Sequence, residues 1–305
     1  MKSPILFLIF NRPDTTQSVF ERIREVRPPR LYIAADGPRE TRPGEHEKCE
    51  ETRKITENVD WPCEVHRLYR DKNLGCGKGV SSAITWFFEQ EEEGIIIEDD
   101  IMAHPDFFRY CDEMLEKYRT DDRIQLIAGR NAFYQAIPHT VSYYLSNYMM
   151  IWGWASWRRV WNTYCFDVAT LSRARFQEAV KAKIARPAQA FMLRSFDMMA
   201  NHQCDTWDYQ LIINQVLNNR YAILPYVNMV ENLGLGTADA THTTGEEPIK
   251  AGHKAQSPYP LVHPDSFFRD EKADYLHARN EGIIPGPLKR IKDSVLAVLK
   301  ELRRK

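Results

Sequence analysis

The chain has 305 residues, 43% of them hydrophobic and 27% charged, with a formal net charge of −1. That balance suits one large globular domain with appendages, and it supplies no bulk field to recruit nucleic acid, which is not expected as a partner. Six cysteines with no CxxC pair argue against a zinc knuckle or a disulfide framework and fit a reducing, cytoplasmic setting.

The opening "MKSPILFLIF" is apolar, but it is short and runs into Asn11-Arg12-Pro13-Asp14 with no small-residue cleavage site. It therefore reads as a buried first strand, Ile5 to Phe10, rather than a leader. "PDTTQSVFERIREV" follows as a helix, with Asp14 as cap, Gln17 three residues on, and Val19, Ile23 and Val26 as the inner stripe. "RLYIAADGP" reads as a second strand closed by an Asp-Gly-Pro turn, and the polar residues 39–58 as a loop with a helical piece. "CEVHRLYR" gives a third strand, "GKGVSSAITWFFEQ" a helix, and "GIIIEDD" a fourth strand. His104-Pro105-Asp106 then starts a helix carrying Phe107, Phe108, Cys111, Leu115 and Tyr118, and "RIQLIAG" adds a fifth strand. Strands alternating with helices predict an α/β fold with a mostly parallel central sheet flanked by helices.

After residue 140 the texture changes. "YYLSNYMMIWGWASWRRVW" is so dense in aromatics that it reads as a wall rather than a regular element. Residues 172–203 read as helices, "DYQLIINQVLNNR" as an amphipathic helix, and "YAILPYVNMVENLGLG" as a strand or strand pair. Residues 234–265, rich in Gly, Thr, Pro and His, read as a lid loop. No stretch is long enough to span a bilayer. The tail, 286–305, is a basic amphipathic helix with Ile291, Val295, Leu299 and Leu302 on one face. It suits either peripheral contact with the inner face of a membrane or docking on its own domain.

The chemistry concentrates where the isoleucine run Ile95–Ile97 ends in Glu98, Asp99 and Asp100. Three adjacent acids repel one another unless something positive joins them, and ligands of parallel α/β sheets bind beyond the carboxyl ends of the strands. A divalent cation, Mn²⁺ or Mg²⁺, with a nucleotide diphosphate meets that need, because such ions take hard oxygen ligands and use few protein carboxylates. A solvated acidic turn is the plainer alternative. Asp36 closes the second strand at the same edge, as a turn former, a base contact, or both. "NLGCGKG", Asn73–Gly79, enters a helix and offers backbone N–H groups plus Lys78. It is neither a Walker loop nor a dinucleotide fingerprint.

These pieces resemble the GT-A glycosyltransferases. More narrowly, they resemble bacterial nucleotide-diphospho-sugar transferases of the hemolytic-protein-like type, which in turn resemble the Golgi N-acetylglucosaminyltransferase that initiates hybrid N-glycans. The resemblance rests on "FNRPDTTQSVFERI", "IAADGPR", "NLGCGKGVSSAI", "IIIEDDIMAHPDFFRY", "WGWASWRRVW" and "DTWDYQLIINQVLNNRYAILPYVNMVENLGLGTADATHTT", spread from the first strand to about residue 245.

The resemblance implies a catalytic domain over 1–265, with a nucleotide-sugar half (1–130), an acceptor half with lid (131–265), and an extension from 266 to 305. It implies that Asp36 contacts the nucleobase, uracil if the donor is a UDP-sugar such as UDP-N-acetylglucosamine. Phe10, Asn11, Arg12, Lys78, Glu98 and Asp99 would line the donor, and Trp152-Gly153-Trp154 the donor–acceptor junction. Asp100 would ligate the metal, with His242 as a weaker second ligand, and Asp208 would be the base. Asp205, which by its position reads as the cap of the same helix, is the alternative base. The implied reaction is inverting sugar transfer from a nucleotide-diphosphate donor to a glycan or lipid-linked hydroxyl. A nucleotidyltransferase that forms sugar nucleotides, or a non-catalytic carbohydrate-binding protein on this fold, stands as the alternative.

Overall fold

The computed structural model describes residues 1–131, 138–235 and 254–284. Its first half is a succession of strand and helix: β1 (Ile5–Ile9), α1 (Pro13–Val26), β2 (Arg30–Ala35), α2 (Glu45–Ile55), β3 (Glu64–Tyr69), α3 (Gly75–Gln90) and β4 (Glu93–Glu98). All five residues of β1 and the Ile95–Ile97 run of β4 are buried, as expected for strands covered by helices on both faces. α1 begins differently from expectation. Arg12 is the N-cap residue, Pro13 opens the helix, and Asp14 lies inside the first turn without making a capping bond. Proline fits there because its missing N–H would have no helical partner anyway.

Two short strands, β5 (Ile101–Ala103) and β10 (Val230–Asn232), form a separate antiparallel ribbon with Asn232 opposite Ile101. β5 lies between the acidic run and α4 (Pro105–Lys117), where only a loop was expected. The aromatic stretch is not a featureless wall either. It supplies β7 (Tyr143–Ser146) and β8 (Trp154–Trp157) of the main sheet, which also contains β6 (Ile124–Ala128) and β9 (Tyr221–Pro225). Tyr143, Tyr144, Trp154 and Trp157 are all fully buried, so no polar-out alternation marked these strands in the sequence.

The sheet order is β3-β2-β1-β4-β8-β6-β9-β7. The first four strands are parallel, β8 runs against both of its neighbours, β6 is parallel to β9, and β7 is antiparallel to β9. The fold is thus α/β with a mostly parallel central sheet flanked by helices. One core cluster joins α1 and α4 to the sheet; a second joins α3 and α8 (Asp208–Leu217) to the other face. A third packs α6 (Arg173–Lys183) and α7 (Arg186–Ala200) on α8.

The last described helix, α9 (Glu271–Asn280), belongs to these cores. Ala273 enters the second cluster and Ala278 the third. Asp274 accepts hydrogen bonds from the Ser146 hydroxyl and the Asn147 N–H, and Glu281 forks onto the buried Arg130 at 2.8 and 3.1 Å. Residues 271–281 of the expected extension thus pack on the same cores as the residues before them. Among the described residues no helix is long and apolar enough to cross a membrane. The basic segment 286–305 lies outside them.

Candidate active site

The loops after β1, β2 and β4 emerge at one edge of the sheet because the three strands are parallel neighbours. Asp99, buried at the end of β4, accepts the Phe10 N–H at 3.0 Å. Arg12, at the start of α1, places Nη1 2.6 Å from Asp100 Oδ2 and 3.7 Å from Asp99 Oδ1. This guanidinium is one positive group that the acidic run required. It does not balance the whole cluster. Burial, then the charges of Asp100, Asp99 and Asp208, pushes Glu98 up to about 8. Burial and Asp100 push Asp99 up to about 7, and Asp100 also rises, with Arg12 opposing.

The β5–β10 ribbon closes behind this cluster. The Leu233 N–H donates to the Asp100 carbonyl at 2.7 Å. A Cβ on Gly234 would stand 2.5 Å from Asp100 Oδ2 and 3.3 Å from Arg12 Nη1, so only glycine lets the backbone pass this close.

Asn11 is buried and donates to Glu45 Oε1 at 2.9 Å. Glu45 also receives Arg39, whose guanidinium lies 5.4 Å from the centre of the Phe10 ring. Burial works to raise the Glu45 carboxyl, but the Arg39 and Asn11 hydrogen bonds outweigh it, and its pKa lies below the ordinary range. The first loop is therefore held rigidly against α2.

The start of α3 departs from expectation in one respect that matters. Its free N–H groups are taken by the protein's own carboxylates and amide. Asp36 accepts Leu74 N–H at 2.9 and 3.1 Å, Asn73 accepts Gly75 N–H at 3.2 Å, and Asp205 accepts Cys76 N–H at 3.0 Å and Gly77 N–H at 2.9 Å. Asp205 is thus a cap, but of α3 rather than of the helix that follows it. Lys78 points outward, exposed, and does not line the cavity described next. Burial raises the Asp36 pKa, with the Leu74 N–H and other backbone donors opposing it.

A cavity of about 430 Å³ lies between these elements, lined among others by Phe10, Asn11, Arg12, Asp36, Arg39 and Arg70. Glu98, Asp99 and Asp205 also line it. Arg39 and Arg70 were not singled out in the sequence. Arg70 could have been, since it follows β3 at the carboxyl edge where ligands gather. Its guanidinium donates to Ser82 Oγ at 2.8 Å, and burial lowers its pKa while Asp36 opposes. A larger hollow of about 610 Å³ opens at the opposite edge. There Arg30, Arg119 and Arg158 are paired with Glu91, Glu93 and Glu92, so its charges satisfy one another.

Asp208 opens α8, where its Oδ1 accepts the Thr206 hydroxyl at 2.5 Å and the Tyr209 N–H at 2.9 Å. It is half-buried and close enough to raise the proton affinity of Glu98 and of Cys76, whose thiol is pushed up to about 12 chiefly by burial. Residues far apart in the chain thus meet at one place.

The Trp152-Gly153-Trp154 triplet does not line the cavity. Trp154 is 1% exposed and stacks on Trp207 at 5.7 Å as a core side chain. Trp152 is half-buried with Arg130 3.8 Å from its ring centre, and Gly153 has φ +62°, a conformation that favours glycine. His242 lies outside the described residues.

Among the described residues no three His, Cys, Asp or Glu side chains converge in the manner of a protein-built metal centre. What is present is a carboxylate cluster whose proton affinity is raised by burial and mutual repulsion, opposed by the guanidinium of Arg12. Asp100 Oδ2 is engaged by Arg12 at 2.6 Å, so a hard divalent cation there would be held through the other carboxylate oxygen and completed by oxygens of a bound ligand.

No protein-family profile matches the sequence, and no curated protein sequence matches it. Among solved structures the chain is similar to HddC from Yersinia pseudotuberculosis, with 10% identity over 53% of this chain and 80% of that one, at a TM-score of 0.34. It is also similar to residues 1–349 of TarS from S. aureus, with 11% identity over 77% of this chain and 61% of that one, at 0.43. A third is a UDP-glucose pyrophosphorylase complexed with UDP-glucose, with 12% identity over 50% of this chain and 65% of that one, at 0.29.

Proposed function

We propose that this chain is an inverting glycosyltransferase that moves a sugar from a nucleoside-diphosphate donor to a hydroxyl acceptor. The observation that carries the reading is the meeting of two carboxylate sets from distant parts of the chain. Glu98 ends β4 and lines the cavity together with Asp99 and Asp205, Asp100 follows Asp99 in the same turn, and Asp208 opens α8 three residues after Asp205. One set suits a leaving diphosphate and its cation; the other suits an incoming hydroxyl.

In this reading the donor occupies the cavity, with its base toward Asp36 and Arg70 and its diphosphate toward Asp100. The donor is a UDP-sugar, UDP-N-acetylglucosamine being the first to try, and the acceptor a glycan or lipid-linked glycan. Asp100 would hold Mn²⁺ or Mg²⁺, which when bound supplies neutralising charge to the diphosphate. Asp99 is locked by the Phe10 N–H and so orients the first loop against the donor. The acceptor hydroxyl hydrogen-bonds to Asp208. As its oxygen bonds to the anomeric carbon, its proton passes to the Asp208 carboxylate, and the bond from that carbon to the diphosphate breaks on the opposite face. The configuration inverts.

Incubation with a panel of nucleotide sugars and Mn²⁺, following nucleoside diphosphate release, tests this directly. A parallel arm with nucleoside triphosphates and sugar 1-phosphates tests the nucleotidyltransferase alternative. Pyrophosphate release in that arm, with no diphosphate release in the first, would overturn the proposal.

A further inference from the structure

Of the described aromatic side chains, Phe166, Phe268 and Tyr275 are exposed. Phe166, 38% exposed, stands beside the first turn of α3. A Cβ placed on Gly77, in the first turn of α3, would lie 2.7 Å from Asp205 Oδ1 and 3.3 Å from Phe166 Cε2. The ring edge and the carboxylate are therefore at most about 6 Å apart. The loop that carries Phe166 is tied to the residue before the proposed base, since the Tyr164 hydroxyl donates to the Trp207 carbonyl at 2.9 Å. Leu74, at the same helix start, is 42% exposed. Asp205 itself lines the cavity, and Asp208 opens α8 three residues later. An exposed flat ring thus lies beside a carboxylate of the cavity wall, on a loop tied to the residue before the proposed base.

We infer that this place is the acceptor subsite, and that Phe166 is the stacking platform for a pyranose ring. The inference rests on the glycosyltransferase reading for its direction, because Asp208 marks where the acceptor hydroxyl must lie. The chemistry there suits a sugar. A pyranose presents a face of C–H groups that packs on an aromatic ring, and hydroxyls around its edge that donate to carboxylates. Each Asp205 oxygen accepts one backbone N–H and keeps capacity for a second donor. A nucleotide would bring phosphates against the Asp205 carboxylate here. A purely apolar partner would cover that carboxylate without offering it hydrogen bonds.

The test is saturation-transfer NMR of the full chain with methyl β-D-glucopyranoside, methyl β-D-galactopyranoside, methyl α-D-mannopyranoside and methyl N-acetyl-β-D-glucosaminide. At least one should receive saturation on the protons of a single ring face. Phe166→Ala should weaken its binding by about 3- to 10-fold, the worth of one aromatic contact. Phe166→Trp should restore it, and neither variant should change the Kd for UDP measured by calorimetry. Equal sugar binding in Phe166→Ala, or no saturation of any of the four sugars, overturns the inference. UDP binding without sugar binding defeats this inference alone. A Phe166-dependent sugar contact in a chain that binds no nucleotide and releases no diphosphate defeats the donor reading instead.

Discussion

Replacing Asp205 by alanine should destabilise a helix from which it is distant in sequence. Its two oxygens accept the Cys76 and Gly77 N–H groups of α3 at 3.0 and 2.9 Å. A lost helix cap costs about 0.5–2 kcal/mol, and each buried donor left without a partner about 1–3 kcal/mol. Asp205 is exposed while Gly77 is buried, so water can replace the bond to Cys76 better than the bond to Gly77. The net cost is therefore about 1–2 kcal/mol, the lower part of the summed range. For a chain of this size that corresponds to about 1.5–3 °C in Tm. Asp205→Asn, which keeps one acceptor oxygen, should lose about half as much. Urea denaturation gives the magnitude, and amide hydrogen exchange locates it: Cys76 and Gly77 should exchange faster, with the first turn of α8 unchanged. Faster exchange confined to residues 208–211, with α3 still protected, would refute the assignment and return Asp205 to its own helix.

Asp208→Asn should lower transfer by about 10²–10⁴-fold while donor Kd holds, and near-normal turnover in single-turnover assays would remove it as base. Asp100→Asn should abolish Mn²⁺-dependent UDP binding in calorimetry with the fold intact by circular dichroism; an unchanged heat would dissociate Asp100 from any cation. A pair of opposed titrations sits on α9. Burial lowers His277 from 6.5 to about 4, so the unfolded chain takes a proton first and stability falls as pH drops through that window. Burial raises Asp274 from 3.8 to about 6, so the folded chain keeps a proton longer and stability falls as pH rises through its window. As pH rises from about 4 to about 6, His277→Gln should therefore lose stability relative to the native chain and Asp274→Asn should gain it, each by about 1.4 kcal/mol per pH unit. Relative slopes of the same sign in urea titrations would contradict this.

The first half of the fold was legible because its strands are buried on both faces and its helices are amphipathic; a run such as Ile95–Ile97, bounded by polar residues, is too short for a helix and suits a covered strand. β5 escaped notice because three residues carry no period. β7 and β8 escaped because a strand of WASW or YYLS, covered on both faces, looks like aromatic packing of any kind. The acids of the candidate site were legible as chemistry, but their partners were not. That Arg12 holds Asp100, that Asp205 serves α3, and that Trp154 is core are facts of topology, set by pairings between residues 50 to 130 positions apart. Lys78 misled because a lysine beside helix-entry glycines suggests phosphate, whereas carboxylates had already filled the N–H groups there.

The sheet order has a consequence for how the chain is made. β4 takes β1 on one side and β8 on the other, and β8 is synthesised after both β6 and β7. While the ribosome is still adding residues up to Trp154, a strand bearing three consecutive isoleucines has a finished neighbour on one edge and none on the other. An unpaired apolar edge is a template for association with another chain. β6 cannot fill the gap, because its own place lies one strand further out. The late arrival of the aromatic strand closes that edge of β4, while β6 and β7 wait still longer for β9, the strand that pairs with both.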